Sequence, residues 1–216
     1  MAPLAGTSPR SSSCSPGTAS PPRPSTAASA RTPSKPSAVS SAGRGFPSAR
    51  FDGGLGTHTE KALRKFQRWA GLPVDGVAGA TTIAALRRAP PTCPIALAWP
   101  LSAPIGDPFG PRGNRFHAGI DLIANLGAPV AAAAPGRVVF AGPAQGGWGK
   151  LVVVLHRSGV RTLYAHLSAI DVDRGEAVNT GDRVGLVGAT GDASGPHLHF
   201  EVRLRGAAVD PLSALP

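Results

Sequence analysis

The sequence predicts a mainly β protein: an antiparallel β-domain over its second half, preceded by a small α-helical module and a disordered tail. Three observations carry this. From position 137 onward, short apolar runs alternate with Gly, Pro and Asp clusters about every ten residues. An internal repeat with helical spacing occupies the stretch from Phe51 to Arg88. The chain up to Ala42 holds only Leu4 and Val39 as large aliphatics and no aromatic residue, too little apolar surface to offset the entropy of ordering.

Composition narrows the classes. Gly (28) and Pro (23) make up nearly a quarter of the 216 residues, which excludes a long coiled coil, while 42% apolar residues suffice for a core. The formal net charge is +10, but six basic residues (Arg10, Arg23, Arg31, Lys35, Arg44, Arg50) stand in the first 50 positions with no acid beside them. The tail, positions 1 to 44, is therefore read as a solvated basic segment rather than a binding element. With no aromatic stacking motif and no basic recognition helix, nucleic acid is not expected as a partner. No stretch approaches the roughly 20 apolar residues of a membrane span, and Met1-Ala2-Pro3-Leu4-Ala5-Gly6 lacks the features of a secretory signal. Cys14 and Cys93 form neither a metal pair nor a disulfide framework.

The repeat has a 23-residue offset. Asp52-Gly53, Gly56, Thr59, Ala62 and Leu63 recur as Asp75-Gly76, Gly79, Thr82, Ala85 and Leu86. Each copy reads as a tight turn leading into a helix with Thr at its N-cap. The first helix, from about Thr59 to Ala70, places Ala62, Leu63, Phe66 and Ala70 on one face and stops at Gly71; the second runs from about Thr82 to Arg88. Phe66 and Trp69 are expected in the core. The set Asp52, Gly53, Gly56, Thr59, Phe66, Gln67, Asp75, Gly76, Gly79 and Thr82 resembles the peptidoglycan-binding domain of cell-wall hydrolases, over residues 45 to 88, and most of these residues are expected to be structural. The family's three-helix domain opens with a further helix, whose place is taken here by the Ser/Pro/Arg-rich tail. Residues 89 to 98, with Pro90, Pro91 and Pro94, read as a Pro-rich linker.

Five of the six histidines fall beyond the linker. His197-Leu198-His199 on a strand aims both imidazoles at one face over an apolar layer. His117 and Asp121 share parity, but four extended residues span about 13 Å, so both reach one ion only if the chain bends, and Gly119 is where it can. A helical His-x-x-x-Asp is rejected because Gly113 and Gly119 weaken a helix. The set offers two nitrogens and one oxygen for a divalent metal, with spare imidazoles for proton transfer. No Gly-x-Ser-x-Gly competes, and both cysteines lie away from the histidines. Glu201 shares the strand parity of His197 and His199, as a partner to them or as an ordinary surface acid.

From about Trp99 to Pro211 the chain resembles the lysostaphin/LytM-type zinc metallopeptidases that cut peptidoglycan peptides. The resemblance rests on Phe109-Gly110-x-Arg112, Phe116-His117-x-Gly119-Ile120-Asp121, Thr162-x-Tyr164-x-His166-Leu167, Gly195-Pro196-His197-Leu198-His199-Phe200-Glu201 and Asp210-Pro211. It implies an antiparallel β-sandwich of the duplicated hybrid motif over residues 99 to 216 and a bound Zn2+. His117, Asp121 and His199 would be the ligands, and His166 and His197 would be catalytic. Tyr164 would line the cleft and touch substrate. The implied function is zinc-dependent hydrolysis of peptidoglycan cross-links by a monomer outside the cytoplasmic membrane; the alternative is a non-catalytic peptidoglycan-binding regulator of another hydrolase. An extracytoplasmic substrate conflicts with the lack of a signal. Arg (18) far exceeds Lys (4), which suggests a GC-rich genome, and the tail has the composition that such DNA yields in a wrong reading frame.

Overall fold

The computed structural model describes residues 56–89, 92–112 and 115–216. Asp52, Gly53 and the tail lie outside the described residues. The helical module consists of α1 (Thr57–Trp69) and α2 (Ala80–Leu86). The repeat is visible in three dimensions, but the caps differ from expectation. Gly56 and Gly79 are the N-caps, and Thr59 and Thr82, three residues further on, are buried. The extended backbone at each glycine starts its helix early, so the threonine turns inward instead of capping. Gln67, fully buried, explains the rest of the repeat: its Nε2 donates to Asp75 Oδ1 (2.6 Å) and the Val77 carbonyl (3.0 Å), and its Oε1 accepts from Gly76 N–H (2.9 Å). At the far end of α1, Gly71 adopts φ +68 and Leu72 N–H returns to the Gln67 carbonyl (2.9 Å), which closes the helix as expected.

The β-domain contains β1 (Ile105–Asp107), β2 (Gly110–Arg112), β3 (Arg115–His117), β4 (Ile120–Ile123), β5 (Pro129–Ala131), β6 (Gly136–Ala144) and β7 (Gly149–Leu155), followed by β8 (Val160–Leu167), β9 (Ala169–Ile170), β10 (Ala177–Val178), β11 (Arg183–Leu186), β12 (His197–Leu204) and β13 (Ala207–Val209). The main sheet runs β1-β4-β12-β8-β7-β6-β10 with β13 beside β12; a smaller sheet runs β5-β11-β9, and β2 and β3 form a ribbon. All pairings are antiparallel. Val130 and Val184 of the smaller sheet meet Val138, Val152, Tyr164, Leu198 and Phe200 of the main one, so the core lies between two sheets. The expected hairpin at Arg157–Gly159 is present, with Ser158 and Gly159 both at positive φ.

The linker reading needs correction over its second half. Ile95 and Leu97 are buried in the β-domain core, Leu97 N–H donates to the Ala214 carbonyl (2.9 Å), and Ala98 N–H donates to the Ala133 carbonyl (2.8 Å). Alternate apolar residues here seat the strap on the sandwich, so its composition reflects packing rather than spacing. Among the described residues no helix is long and apolar enough to cross a membrane.

Candidate metal centre and cleft

The site lies on the face of the main sheet opposite the core. On β12, Leu198, Phe200 and Val202 enter the core, so His197, His199 and Glu201 project the other way, above Leu151, Leu163 and Ala165. On β4, Ile120 and Leu122 enter the core and Asp121 shares the histidine face. Register pairs His199 directly with Asp121, which brings imidazole and carboxylate together across two strands. His117 arrives from β3. The chain breaks between β3 and β4, as the distance argument requires, and Gly119 passes so close to the backbone of Phe200 that an added Cβ would strike its carbonyl oxygen.

Three donor atoms converge. His117 Nε2 lies 3.1 Å from Asp121 Oδ1, His199 Nδ1 lies 2.8 Å from that oxygen, and the two nitrogens are 3.0 Å apart. A tetrahedral zinc ion with bonds of about 2.0–2.1 Å has ligand–ligand edges of about 3.3 Å, so this triangle matches a three-ligand face and leaves one vertex open. The second nitrogen of each ring is spoken for: His117 Nδ1 donates to the Pro108 carbonyl (2.8 Å) and His199 Nε2 to Glu201 Oε1 (3.3 Å). These bonds favour the tautomers in which the remaining nitrogen would offer its lone pair to the shared point once a cation replaces the proton shared with Asp121.

The other two imidazoles are anchored the same way. His166 Nδ1 donates to the Thr190 carbonyl (2.8 Å) and His197 Nδ1 to the Gly195 carbonyl (2.9 Å). Their rings stand 4.8 Å apart, and His197 Nε2 is 3.7 Å from Asp121 Oδ1. The five polar residues expected from sequence thus meet in one cleft of about 280 Å3, whose other walls include Arg112, Arg115, Trp148 and Asp192.

His166 reaches the cleft through a bulge. Lys150 pairs with Leu167 and Val152 with Tyr164, so two residues of β8, Ala165 and His166, oppose Leu151 alone, and His166 takes φ +62. That extra residue corrects the expectation for Tyr164. Strict alternation would set it beside His166 in the cleft; the bulge changes parity, and Tyr164 is fully buried in the core. Its hydroxyl accepts from Ala133 N–H (2.8 Å) and from the Thr162 hydroxyl (2.9 Å), leaving no route to substrate.

Charge is organised around Asp121. Burial pushes its pKa up, but hydrogen bonds from His117 and His199 outweigh this and hold the carboxyl well below the usual carboxylate range. His199 is opposed by burial yet raised to about 9 by Asp121 and Glu201. Burial lowers His166, and the neighbouring imidazoles His197 and His199 add to that, against the Thr190 carbonyl. Glu201, almost fully buried, also accepts from Arg203 Nε (2.6 Å); it is a partner of the site and not a surface acid.

Sequence reasoning left several contributors unassigned. Arg112 donates to Asp121 Oδ2 (2.9 Å) and pairs with Asp107, which holds the carboxylate oxygen that does not face the histidines. Trp148 and His199 stand edge-to-face with ring centroids 5.5 Å apart, and the Arg203 guanidinium lies over the Trp148 ring. The carbonyls of Pro108, Thr190 and Gly195 have no side-chain signature.

Comparison with known proteins agrees with this geometry. Residues 115–211 match the family model described as Peptidase family M23, and residues 42–86 match that of a putative peptidoglycan binding domain. Over 119 residues the chain is 47% identical to DD-carboxypeptidase/endopeptidase Mpg of Neisseria meningitidis, covering 52% of this chain and 27% of that protein. It is 37% identical over 120 residues to the murein hydrolase activator NlpD of Salmonella dublin, covering 55% of this chain and 31% of the other. A zinc-containing peptidase from Vibrio cholerae superposes with a TM-score of 0.51 at 35% identity, over 56% of this chain and 41% of that one. The matched segment thus spans about a quarter to a third of the two curated relatives. The chain carries a lysostaphin/LytM-type domain of peptidase family M23, preceded by a peptidoglycan-binding domain.

Proposed function

We propose that the chain is a zinc-dependent endopeptidase that hydrolyses peptide cross-links of bacterial peptidoglycan outside the cytoplasmic membrane. The observation that carries this reading is the triangle of His117 Nε2, Asp121 Oδ1 and His199 Nδ1, with two further imidazoles anchored to face it. These three residues would hold the metal. Zinc, when bound, supplies a Lewis acid for a carbonyl and lowers the pKa of water to near 7.

The chain's own groups do the rest. The Nδ1–H bonds of His166 and His197 leave Nε2 of each as the atom that accepts a proton from the attacking water or donates one toward the developing oxyanion. Arg112 keeps Asp121 oriented through its outer oxygen, and Glu201 keeps the His199 tautomer that frees Nδ1. The helical module raises the local concentration of cross-links by tethering.

Similarity to an activator favours a second reading, a regulator that binds the wall without cutting it. The complete donor set supports the enzyme. The test is purified cross-linked muropeptide with chelated, zinc-restored and His199→Ala protein. Cleavage is expected to vanish on chelation and return with zinc, with about one zinc per chain in the wild type and none in the variant. Full activity without metal would overturn the proposal; wall binding without any cleavage at full zinc occupancy would favour the regulator.

A further inference from the structure

A second concavity, of about 500 Å3, lies where α1 meets the β12–β13 hairpin, lined by Lys65, Arg68, Trp69, Arg205 and Gly206. The two modules touch beside it, because Ala207 at the start of β13 packs with Leu63 and Phe66 of α1. Lys65 and Arg68 are one turn apart on the exposed side of the helix, and Trp69 follows them. Arg64, Arg112, Arg183 and Arg203 each have a carboxylate partner. Lys65, Arg68 and Arg205 form no ion pair among the described residues, and they line this concavity together with Trp69, whose indole also packs against Phe66.

Arg205 is the more telling residue. Leu204 pairs with Ala207, so Arg205-Gly206 is a two-residue hairpin loop, with φ of +51 and +90. Such loops favour Asn, Asp or Gly at the first position, since a residue with a long side chain there has a cost in backbone energy. Turn chemistry does not account for an arginine that points its charge at the same concavity as two helix cations.

We infer that this pocket is an anchoring site for a carboxylate-bearing glycopeptide of the wall. A sugar or peptide face lies on the Trp69 indole, and Lys65, Arg68 and Arg205 hold the carboxylates. Guanidinium groups match carboxylate geometry, and an indole offers a flat amphipathic surface beside them. The inference rests on the peptidoglycan reading and extends it by making the peptidase domain itself part of the anchor. It also sets a distance. Arg205 stands in the loop just past the end of β12, six residues beyond His199 and about 20 Å along the strand direction, so the held segment and the cut bond are separated by a fixed strut.

Insoluble peptidoglycan freed of phosphate polymers, sedimented with the full chain, tests this. Wild type is expected to bind, and to lose binding when the carboxylates of the polymer are amidated. The Lys65→Glu/Arg68→Glu variant should weaken binding about tenfold or more, the scale of one lost charge-assisted hydrogen bond. Arg205→Gly removes the charge while relaxing the turn, so weaker binding with an undiminished Tm separates recognition from folding. Wild-type affinity in both variants would overturn the inference, as would binding that needs the phosphate polymers. Unchanged variant binding alongside zinc-dependent wild-type cleavage would sink the anchor alone; binding that depends on the pocket without any cleavage would sink the enzyme alone.

Discussion

At φ +62, His166 holds a side chain in backbone that costs a residue other than glycine of order 1–3 kcal/mol. The bulge that imposes this also delivers the ring to the cleft, so strain and function share one residue. His166→Gly should therefore be more stable than His166→Ala by about 1 kcal/mol in urea unfolding, although both lose hydrolysis. An alanine variant at least as stable as the glycine one would show that the bulge stores no strain. Glu201 sits under His199 with Arg203 on its other oxygen. Glu201→Gln keeps the shape but weakens the acceptor for His199 Nε2–H. Zinc affinity measured by chelator competition is expected to drop by roughly 10- to 100-fold, with the fold intact by circular dichroism. Unaltered zinc affinity would reduce Glu201 to a packing role.

Between β3 and β4 the chain turns toward β12 at Gly119, where an added Cβ meets the Phe200 backbone and the buried side chain of Glu201. Gly119→Ala must push β4 away from β12 and so separate Asp121 from His199, its register partner. The expected result is a loss of about 1–3 kcal/mol of stability together with weakened zinc binding. A variant that binds zinc as wild type would show that the strands accommodate the methyl without shifting the pair. Much of this layout was legible beforehand, because alternation on β12 and β4 follows from residue type alone: Leu198, Phe200, Ile120 and Leu122 demand the core, and the polar residues between them must face away. The resemblance misplaced Tyr164, and alternation from His166 would have done the same, since a bulge is set by a local mismatch between β7 and β8 that composition does not encode. The N-caps were misplaced for a related reason, a threonine being as useful buried beside Gln67 as at a helix start. Backbone carbonyls that orient the histidines were invisible because every residue has one.

A buried polar chain remote from the candidate metal centre links the two sheets of the β-domain. His156 Nδ1 donates to the Pro135 carbonyl (2.9 Å), its Nε2 lies 2.7 Å from the Thr162 hydroxyl oxygen, and Thr162 is hydrogen-bonded to Tyr164, whose oxygen accepts from Ala133 N–H. The chain ties β8 to the loop that follows β5, one sheet to the other. Burial lowers the pKa of His156, against the Pro135 carbonyl, which favours the protonated form. Unfolding exposes the imidazole and returns it to about 6.5. Between the depressed folded value and that unfolded value the unfolded chain binds more protons, so stability is complete above about pH 6.5 and declines as pH falls through the window. The slope contributed by one group is at most about 1.4 kcal/mol per pH unit. Metal release in acid would add a slope of its own, so the comparison is made in chelator, wild type against His156→Gln, by urea unfolding from pH 8 to pH 4.5. The variant is expected to be less stable at pH 8, where it loses a buried hydrogen bond, and to lose less on acidification. Parallel pH profiles for the two proteins would mean that His156 takes up no proton on unfolding and that acid sensitivity arises at other groups.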